Sequence, residues 1–383
     1  MPYWYWRPIL PLTELKESVS NPFDLPERGA LSGLSVHLEA KNASTLQLYP
    51  NAWALFRSKW RMVGNGNYEI INAEARHLAA CAFHDMKKVP VMGLANGEGN
   101  YQTFDIPIPF GRYLGDPKYG LTLEKFGSGV QFEETNTFST TYLSDTYSKL
   151  KVDGLFRKDP EPGLFSGGFF KKRQIVNKDA ASEVQYGVKL PTANKLKQIH
   201  MFSDSDLSSY LRAASIWSVL STVWLGVKSK EEYLIDNMGA STLSKIMANQ
   251  LGLFPETKGY VRSADGASVF WETCIGDLRE SALATVHNSF YHSQEDDGSW
   301  LDSIAEIKFS DMATSAVAGT GTIHNKGLAF MNMLPLLGID PLADETEYLD
   351  ADKMKDVYVE FTEGNSAGNI FIVLDELQKS YPS

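Results

Sequence analysis

Leu34, Val36 and Leu38 alternate with Ser35, His37 and Glu39, and this two-residue period returns along the chain in short runs. Successive side chains of a strand point to opposite faces, so such a run reads as a strand with one face buried. Leu150 and Val152 repeat the pattern between Lys149, Lys151 and Asp153, and so do Val184, Tyr186 and Val188, and Val357, Val359 and Phe361. Turn chemistry separates the runs. Asn65-Gly66, between Trp60–Val63 and Tyr68–Ile71, supplies the positive φ of a tight hairpin, and Asp265-Gly266 does the same between Tyr260 and Trp271. Further strands are predicted over Thr103–Phe110, Leu121–Phe126, Val130–Ser139 and Trp217–Val227. Asn369–Leu374 (NIFIVL) is apolar at adjacent positions and reads as a strand covered on both faces. Two helices interrupt the pattern. One covers Ala73–Phe83 with Asn72 as cap, and the other covers Thr242–Leu251 with Ser241 as cap and Gly252 as terminator. Short strands separated by turns build sandwiches or barrels and not alternating βα units.

At 383 residues the chain is long enough for two such units, and 43% hydrophobic with 22% charged residues is a folding composition. Residues 159–168 (DPEPGLFSGG) hold two prolines and three glycines and mark the boundary. The predicted organisation is an N-terminal arm over 1–30, a first β unit over 31–160 and a second over 161–383. Prolines at 2, 8, 11, 22 and 26 exclude a long helix or a central strand from the arm. Tyr3, Trp4, Tyr5 and Trp6, followed by Arg7, form an aromatic cluster within it. These side chains either pack on their own domain or anchor the chain to a neighbouring subunit or a membrane interface, where Trp and Tyr are favoured.

The net charge of −11 argues against direct nucleic-acid binding. Met1–Leu12 has no secretory-signal pattern, and the longest apolar stretch, Ala213–Val227, is shorter than the roughly 20 residues of a spanning helix. A soluble protein made in the cytoplasm is the expectation. Catalytic signatures are lacking: there is no Gly-x-Ser-x-Gly elbow, phosphate loop or zincin motif, and Gly319–His324 lacks the third glycine of a dinucleotide loop. His77, Cys81 and His84 would share one face of the first helix, as a packed core face or as metal ligands, with packing favoured because no fourth ligand is evident. Glu133 and Glu134, with Glu124, are carboxylates of the kind glycoside hydrolysis requires in pairs. The acidic runs Asp204–Asp206 and Glu295–Asp297 do not fit a calcium loop. Lys171-Lys172-Arg173 reads as a solvated or inter-subunit charge patch. No cofactor is expected.

Three segments carry a resemblance: Gln102–Phe126 (QTFDIPIPFGRYLGDPKYGLTLEKF), Lys149–Arg173 (KLKVDGLFRKDPEPGLFSGGFFKKR) and Asp356–Leu377 (DVYVEFTEGNSAGNIFIVLDEL). With the two β-rich halves, they resemble the double jelly-roll major capsid proteins of the lineage that includes adenovirus hexon, tailless membrane-containing phages and archaeal viruses. The likeness is one of layout over about residues 31–383 and not of a short diagnostic motif. It implies a mainly β fold, with two jelly-roll β-sandwich domains in tandem and short inserted helices. It also implies a non-enzymatic virion subunit: a homotrimer with pseudo-hexagonal outline, tiling an icosahedral shell with minor capsid and vertex proteins, often over an internal lipid membrane. On that reading the arm locks neighbours or touches lipid, and its first 12 residues are dispensable for folding. A β-sandwich carbohydrate-binding protein or glycoside hydrolase is the alternative, as is another virion component such as a single jelly-roll coat, a spike or a vertex protein.

Overall fold

The computed structural model describes residues 2–16, 19–42, 58–93, 101–136, 143–180, 184–205, 219–227, 231–252, 254–263, 269–272, 275–285, 290–292, 304–309, 319–330, 333–337, 340, 342–364 and 368–382. The fold is mainly β, and it is built on two sandwiches that share one sheet.

A six-stranded sheet runs Tyr3–Glu14, Leu143–Lys158, Ala30–Asn42, Tyr101–Pro109, Val91–Gly93, with Leu121–Thr122 paired to one end of Ala30–Asn42. An eight-stranded sheet runs Ser20–Asp24, Val130–Thr135, Lys59–Gly64, Tyr68–Glu74, Phe169–Ala180, Gly368–Gln378, Lys195–Ser205, Met333–Pro335. A four-stranded sheet runs Gln185–Lys189, Val357–Glu363, Leu220–Val227, Glu232–Gly239. Many neighbours are distant in sequence, as jelly-roll connections require, with Tyr3–Glu14 beside Leu143–Lys158 and Phe169–Ala180 beside Gly368–Gln378, while hairpins such as Lys59–Gly64 with Tyr68–Glu74 join consecutive strands. Two three-stranded sheets, from segments between 256 and 330, complete the described strands.

Side-chain alternation fixes the cores. Leu34, Val36 and Leu38 are fully buried, and they meet Phe104, Ile106, Trp60, Met62, Ile70 and Phe132 in the first core. Val357, Val359 and Phe361 are fully buried in the second, with Ile199, Met201, Val223 and Leu225. Each fully buried aliphatic or aromatic side chain is worth about 1.5–3 kcal/mol of burial. The hairpin at Asn65-Gly66 forms as the sequence predicts, with φ of 50° and 78° and strands on both sides.

The halves join in the middle of the eight-stranded sheet. Ile71 and Asn72 pair in parallel with Lys172 and Arg173, the one parallel ladder among the described strands. Residues 159–168 form the turns that deliver the chain there. Gly168 has φ of 95°, and a Cβ at that position would lie 2.0 Å from the Gln378 carbonyl oxygen, so only glycine admits the close approach to the last strand. NIFIVL is covered on both faces because it lies between two cores. Phe371 and Val373 belong to the first core, and Ile370, Ile372 and Leu374 to the second.

Several sequence expectations change. Leu121–Phe126 is a strand only over Leu121–Thr122 and then makes a 3-10 turn at Leu123–Lys125, and Val184 and Tyr186, expected on a buried face, are exposed. The first helix spans Ala75–Met86 and not 73–83; Asn72 stays in the preceding strand, and its side-chain amide donates to Glu69. The second helix starts at Ala240, with Gly239 and not Ser241 at its cap, and ends at Gly252 in a left-handed conformation as expected. Residues 1–30, expected as an arm, are paired into the sheets: Tyr3–Glu14 is an edge strand of the six-stranded sheet and Ser20–Asp24 is an edge strand of the eight-stranded sheet. The prolines are compatible with this because an edge strand leaves one side unpaired, and the register shifts fall at Pro8/Leu10 and Leu10/Thr13. The Asp265-Gly266 hairpin and Glu295–Asp297 lie outside the described residues, as do the side chains of Asp204–Asp206.

Candidate functional site

Several exposed large apolar side chains stand on the open edges of the sheets, while others, such as Tyr113, Ile246 and Leu342, lie on turns or a helix. Tyr3 (55% exposed) and Trp6 (50%) stand on one edge of the six-stranded sheet, and Val91 (71%) on the other. Tyr186 lies on one edge of the four-stranded sheet, and Tyr233 and Leu234 on the opposite edge. An edge strand already offers unpaired backbone N–H and C=O groups, and soluble proteins ordinarily blunt such edges with charge or proline. Apolar side chains on four edges instead favour contact with other protein surfaces.

The N-terminal aromatic cluster divides in two. Trp4, on the face opposite to Tyr5, packs on its own chain: its ring carries the Arg157 guanidinium at 5.2 Å and lies 6.3 Å from the Phe165 ring. Tyr5 packs on Phe156, with ring centroids 6.1 Å apart. Tyr3, Trp6 and Arg7 remain exposed. Tyr3–Pro8 pairs without interruption to Lys158–Asp153, whereas Pro8, Pro11 and two register shifts disrupt the rest of the strand. The regular, open part of this edge is therefore the stretch bearing Tyr3, Trp6 and Arg7.

The residues singled out on the first helix lie at the junction between the sandwiches. The helix is buried along nearly its whole length in the first core, beside Tyr101–Pro109, and its His77 and Asp85 side chains reach strands of the second half of the eight-stranded sheet. His77 packs on Phe202 and Phe371, with centroids 4.2 and 4.9 Å away. Cys81 is fully buried, which pushes its thiol up to about 12 and leaves it a small apolar filler. Gln198 Nε2 donates to His84 Nδ1 at 2.6 Å, and His200 Nε2 donates to Gln198 Oε1 at 2.8 Å. Burial holds His84 down to about 4 and keeps His77 and His200 well below the usual imidazole range, so all three are neutral. The cluster packs and hydrogen-bonds. Among the described residues no group of three or more His, Cys, Asp or Glu side chains is arranged to hold a metal.

Beside these residues lies an ion cluster that the sequence did not disclose. Lys197 Nζ is 2.7 Å from Asp85 Oδ1 and 3.5 Å from Asp375 Oδ2; Lys172 Nζ is 3.2 Å from Asp85 Oδ2 and 2.9 Å from Asp375 Oδ2. All four side chains are no more than 3% exposed. Burial alone would raise the Asp85 pKa, but Lys172 and Lys197 hold it well below the carboxylate range. Burial alone would lower Lys172, but Asp375 and Asp85 raise it. Two cations and two anions thus balance each other in place of water. The run Lys171-Lys172-Arg173 is accordingly not a solvated patch: Lys172 is in this cluster and Arg173 pairs with Glu376.

The carboxylates considered for glycoside chemistry are not brought together. Glu133 and Glu134 point to opposite faces of their strand; Glu133 pairs with Arg61, and Glu134 is buried against Ser58 and Asn21. Glu124 borders a polar hollow of about 740 Å³ at one end of the first sandwich, with Asp24, Glu27 and Arg28, and accepts from the Gly29 N–H. No helix among the described residues is long and apolar enough to cross a membrane.

No protein-family model matches the sequence, and no curated protein matches it. The solved structures do give matches. The STIV MCP crystal structure aligns over 98% of both chains with a TM-score of 0.56 at 8% identity. The atomic structure of Sulfolobus turreted icosahedral virus aligns over 98% of this chain and 91% of its counterpart, with a TM-score of 0.60 at 7% identity. The major capsid protein of bacteriophage PM2 aligns over 98% of both chains with a TM-score of 0.50 at 7% identity. The chain therefore has the double jelly-roll fold, with two jelly-roll sandwiches in tandem.

Proposed function

We propose that this chain is a major capsid protein, a non-enzymatic structural subunit that self-assembles into the shell of an icosahedral virus. The observation that carries this reading is a full-length double jelly roll whose open sheet edges present Tyr3, Trp6, Val91, Tyr186, Tyr233 and Leu234. A fold alone does not define a function. Here the edges supply what a self-assembling subunit needs, because obligate interfaces bury on the order of 2,000–5,000 Å² and are rich in aromatic residues.

In this reading the working unit is a homotrimer with pseudo-hexagonal outline, the two sandwiches of each chain giving six similar sides. The units are residues 31–160 and 161–383, joined through 159–168, and residues 1–30 complete both sheets of the first. Tyr3, Trp6 and Arg7 are contact residues for a neighbouring subunit; Trp4 and Tyr5 hold the strand that presents them. Further partners are minor capsid and vertex proteins and, on the inner side, a lipid membrane. The charge of −11 disfavours direct contact with the genome. The protein resides in the virion after synthesis in the host cytoplasm. The carbohydrate reading loses support because Glu124, Glu133 and Glu134 do not converge.

Light scattering on the purified protein, with negative-stain images of the same peak, tests the proposal. A stable particle of three chain masses with hexagonal outline is expected. A monodisperse monomer at every concentration would overturn it.

A further inference from the structure

Glu134 lies on strand Val130–Thr135 with its side chain fully buried. Asn21 of Ser20–Asp24 and Trp60 of Lys59–Gly64 are its direct partners on either side. Ser58 Oγ hydrogen-bonds to Oε1, Trp60 Nε1 donates to Ser58 Oγ at 3.1 Å, and Asn21 Nδ2 donates to Oε2 at 3.0 Å. The same Asn21 closes the crossover from the six-stranded to the eight-stranded sheet. Its Oδ1 accepts from Lys16 N at 3.0 Å, and its Nδ2 faces Lys16 O at 3.0 Å and Val19 O at 3.2 Å.

Asn21 has little donor capacity to spare for the carboxylate. Asn21 Nδ2 carries two hydrogens, yet four oxygens surround it: Glu134 Oε2, the Lys16 and Val19 carbonyls and, at 3.4 Å, the Glu134 carbonyl. An ionised Glu134 would therefore have only Ser58 Oγ and a shared Asn21 hydrogen to offset its buried charge, two neutral donors for four lone-pair positions, so burial favours the uncharged acid. No described cation compensates a charge there. On the flanking strands Arg61 pairs with Glu133 and Glu69 on the opposite face, and Lys59, Asp24 and Lys16 face solvent. Burial raises the Glu134 pKa to about 7, against the opposing hydrogen bonds from Ser58 and Asn21.

We propose that Glu134 and Asn21 form a proton-held clasp on the crossover Lys16–Asn21, so that one proton sets how firmly the N-terminal edge strand is tied to the eight-stranded sheet. The sign follows from linkage. In the opened segment Glu134 meets water and titrates near its ordinary 4.5, so the closed form holds the proton more tightly. The clasp is tightest below that value and loosens as pH rises toward 7, the open population growing by about tenfold per pH unit in between.

Hydrogen exchange of the full-length protein tests this directly. The protection factor of the Leu15–Phe23 peptide should fall by about 50-fold between pH ~5 and pH ~7.5, while that of Leu34–Leu38 holds steady. In Glu134→Gln, which keeps the shape and cannot ionise, the dependence should vanish. Constant wild-type protection, or an undiminished slope in the variant, would overturn the clasp. If the variant does not fold, the carboxyl 13C shifts of glutamate-labelled wild-type protein decide. A glutamate titrating near 7 supports the clasp, and titration of every glutamate below about 5.5 refutes it.

Discussion

Lys197 Nζ lies 2.7 Å from Asp85 Oδ1 with both side chains fully out of solvent, and the two belong to different sandwiches. Asp85 ends the helix that follows the first hairpin, while Lys197, Lys172 and Asp375 stand on strands of the second half. The junction is therefore closed by charge as well as by Phe202, Phe371 and Val373. A buried ion pair need not stabilise more than a well-packed apolar replacement, but it penalises every arrangement that leaves one charge unmatched. It thereby fixes how the helix is seated on the sheet.

Removing one member should cost far more than removing a matched pair. Asp85→Ala leaves two lysines against Asp375 and should destabilise the protein by ~3–5 kcal/mol. Asp85→Leu with Lys197→Met keeps the remaining Lys172–Asp375 pair neutral and should recover most of that loss. Denaturant unfolding at neutral pH measures both. Equal losses in the single and double variants would show that the cluster does not act as a matched set.

Acid should open the same junction. His84 titrates near 4 in the folded protein and near 6.5 when unfolded, so the unfolded chain binds the extra proton between these values. Its contribution is fully present above about 6.5 and is lost as pH falls toward 4, amounting to about 3 kcal/mol. His200 acts in the same direction. Glu134 acts in the opposite direction over an overlapping window. Between pH ~5 and ~7, Glu134→Gln should therefore make stability rise more steeply with pH than in the wild type, and His84→Gln should make it rise less. Unfolding free energies across that range distinguish the slopes.

Tyr381 ties the last strand back to the first sandwich. Its hydroxyl accepts from Thr122 N at 2.8 Å and donates to the Gly120 carbonyl at 3.2 Å, and its ring lies 5.2 Å from both Phe126 and Phe169. Tyr381→Phe removes only the hydroxyl and should cost about 1 kcal/mol. Tyr381→Ala also removes the ring and should cost about 3 kcal/mol. Equilibrium urea unfolding checks the ordering, and a neutral Tyr381→Ala would show that the tail bears no load.

How much of this was legible in the sequence follows from where each interaction is made. Strands such as Val357–Phe361 write their burial locally, in a period of two, and so were readable. NIFIVL announced cover on both faces, though not that its faces belong to different cores. The ion cluster was invisible because Lys172 finds its partners 87 and 203 residues away, at Asp85 and Asp375. A run of three basic residues looks solvated until the strand direction turns the middle one inward. The first strand was obscured by its prolines, which exclude a central position but fit an edge. In the aromatic cluster composition was legible but orientation was not. Only pairing with Leu143–Lys158 separates Trp4 and Tyr5, which pack on their own chain on the two faces of the strand, from the exposed Tyr3 and Trp6.

That separation changes what an N-terminal truncation would do. Removing residues 1–12 strips a paired strand from Leu143–Lys158 and removes Trp4 and Tyr5 from Arg157 and Phe156. Such a deletion should destabilise the first sandwich and cannot isolate the contact role of the edge. Tyr3→Ser with Trp6→Ser leaves the strand pairing and the contacts of Trp4 with Arg157 and of Tyr5 with Phe156 in place, and removes only the edge-on contact of Tyr3 with Tyr5. The double variant should unfold within about 1 kcal/mol of the wild type, as exposed positions usually do. Its self-association should weaken by at least ~tenfold, since aromatic side chains at interface centres each carry more than ~1 kcal/mol. Sedimentation over a concentration series reads the association, and thermal unfolding reads the fold. Wild-type association in the double variant would remove this edge from the contact surface and leave Val91, Tyr186, Tyr233 and Leu234 as the edges to test next.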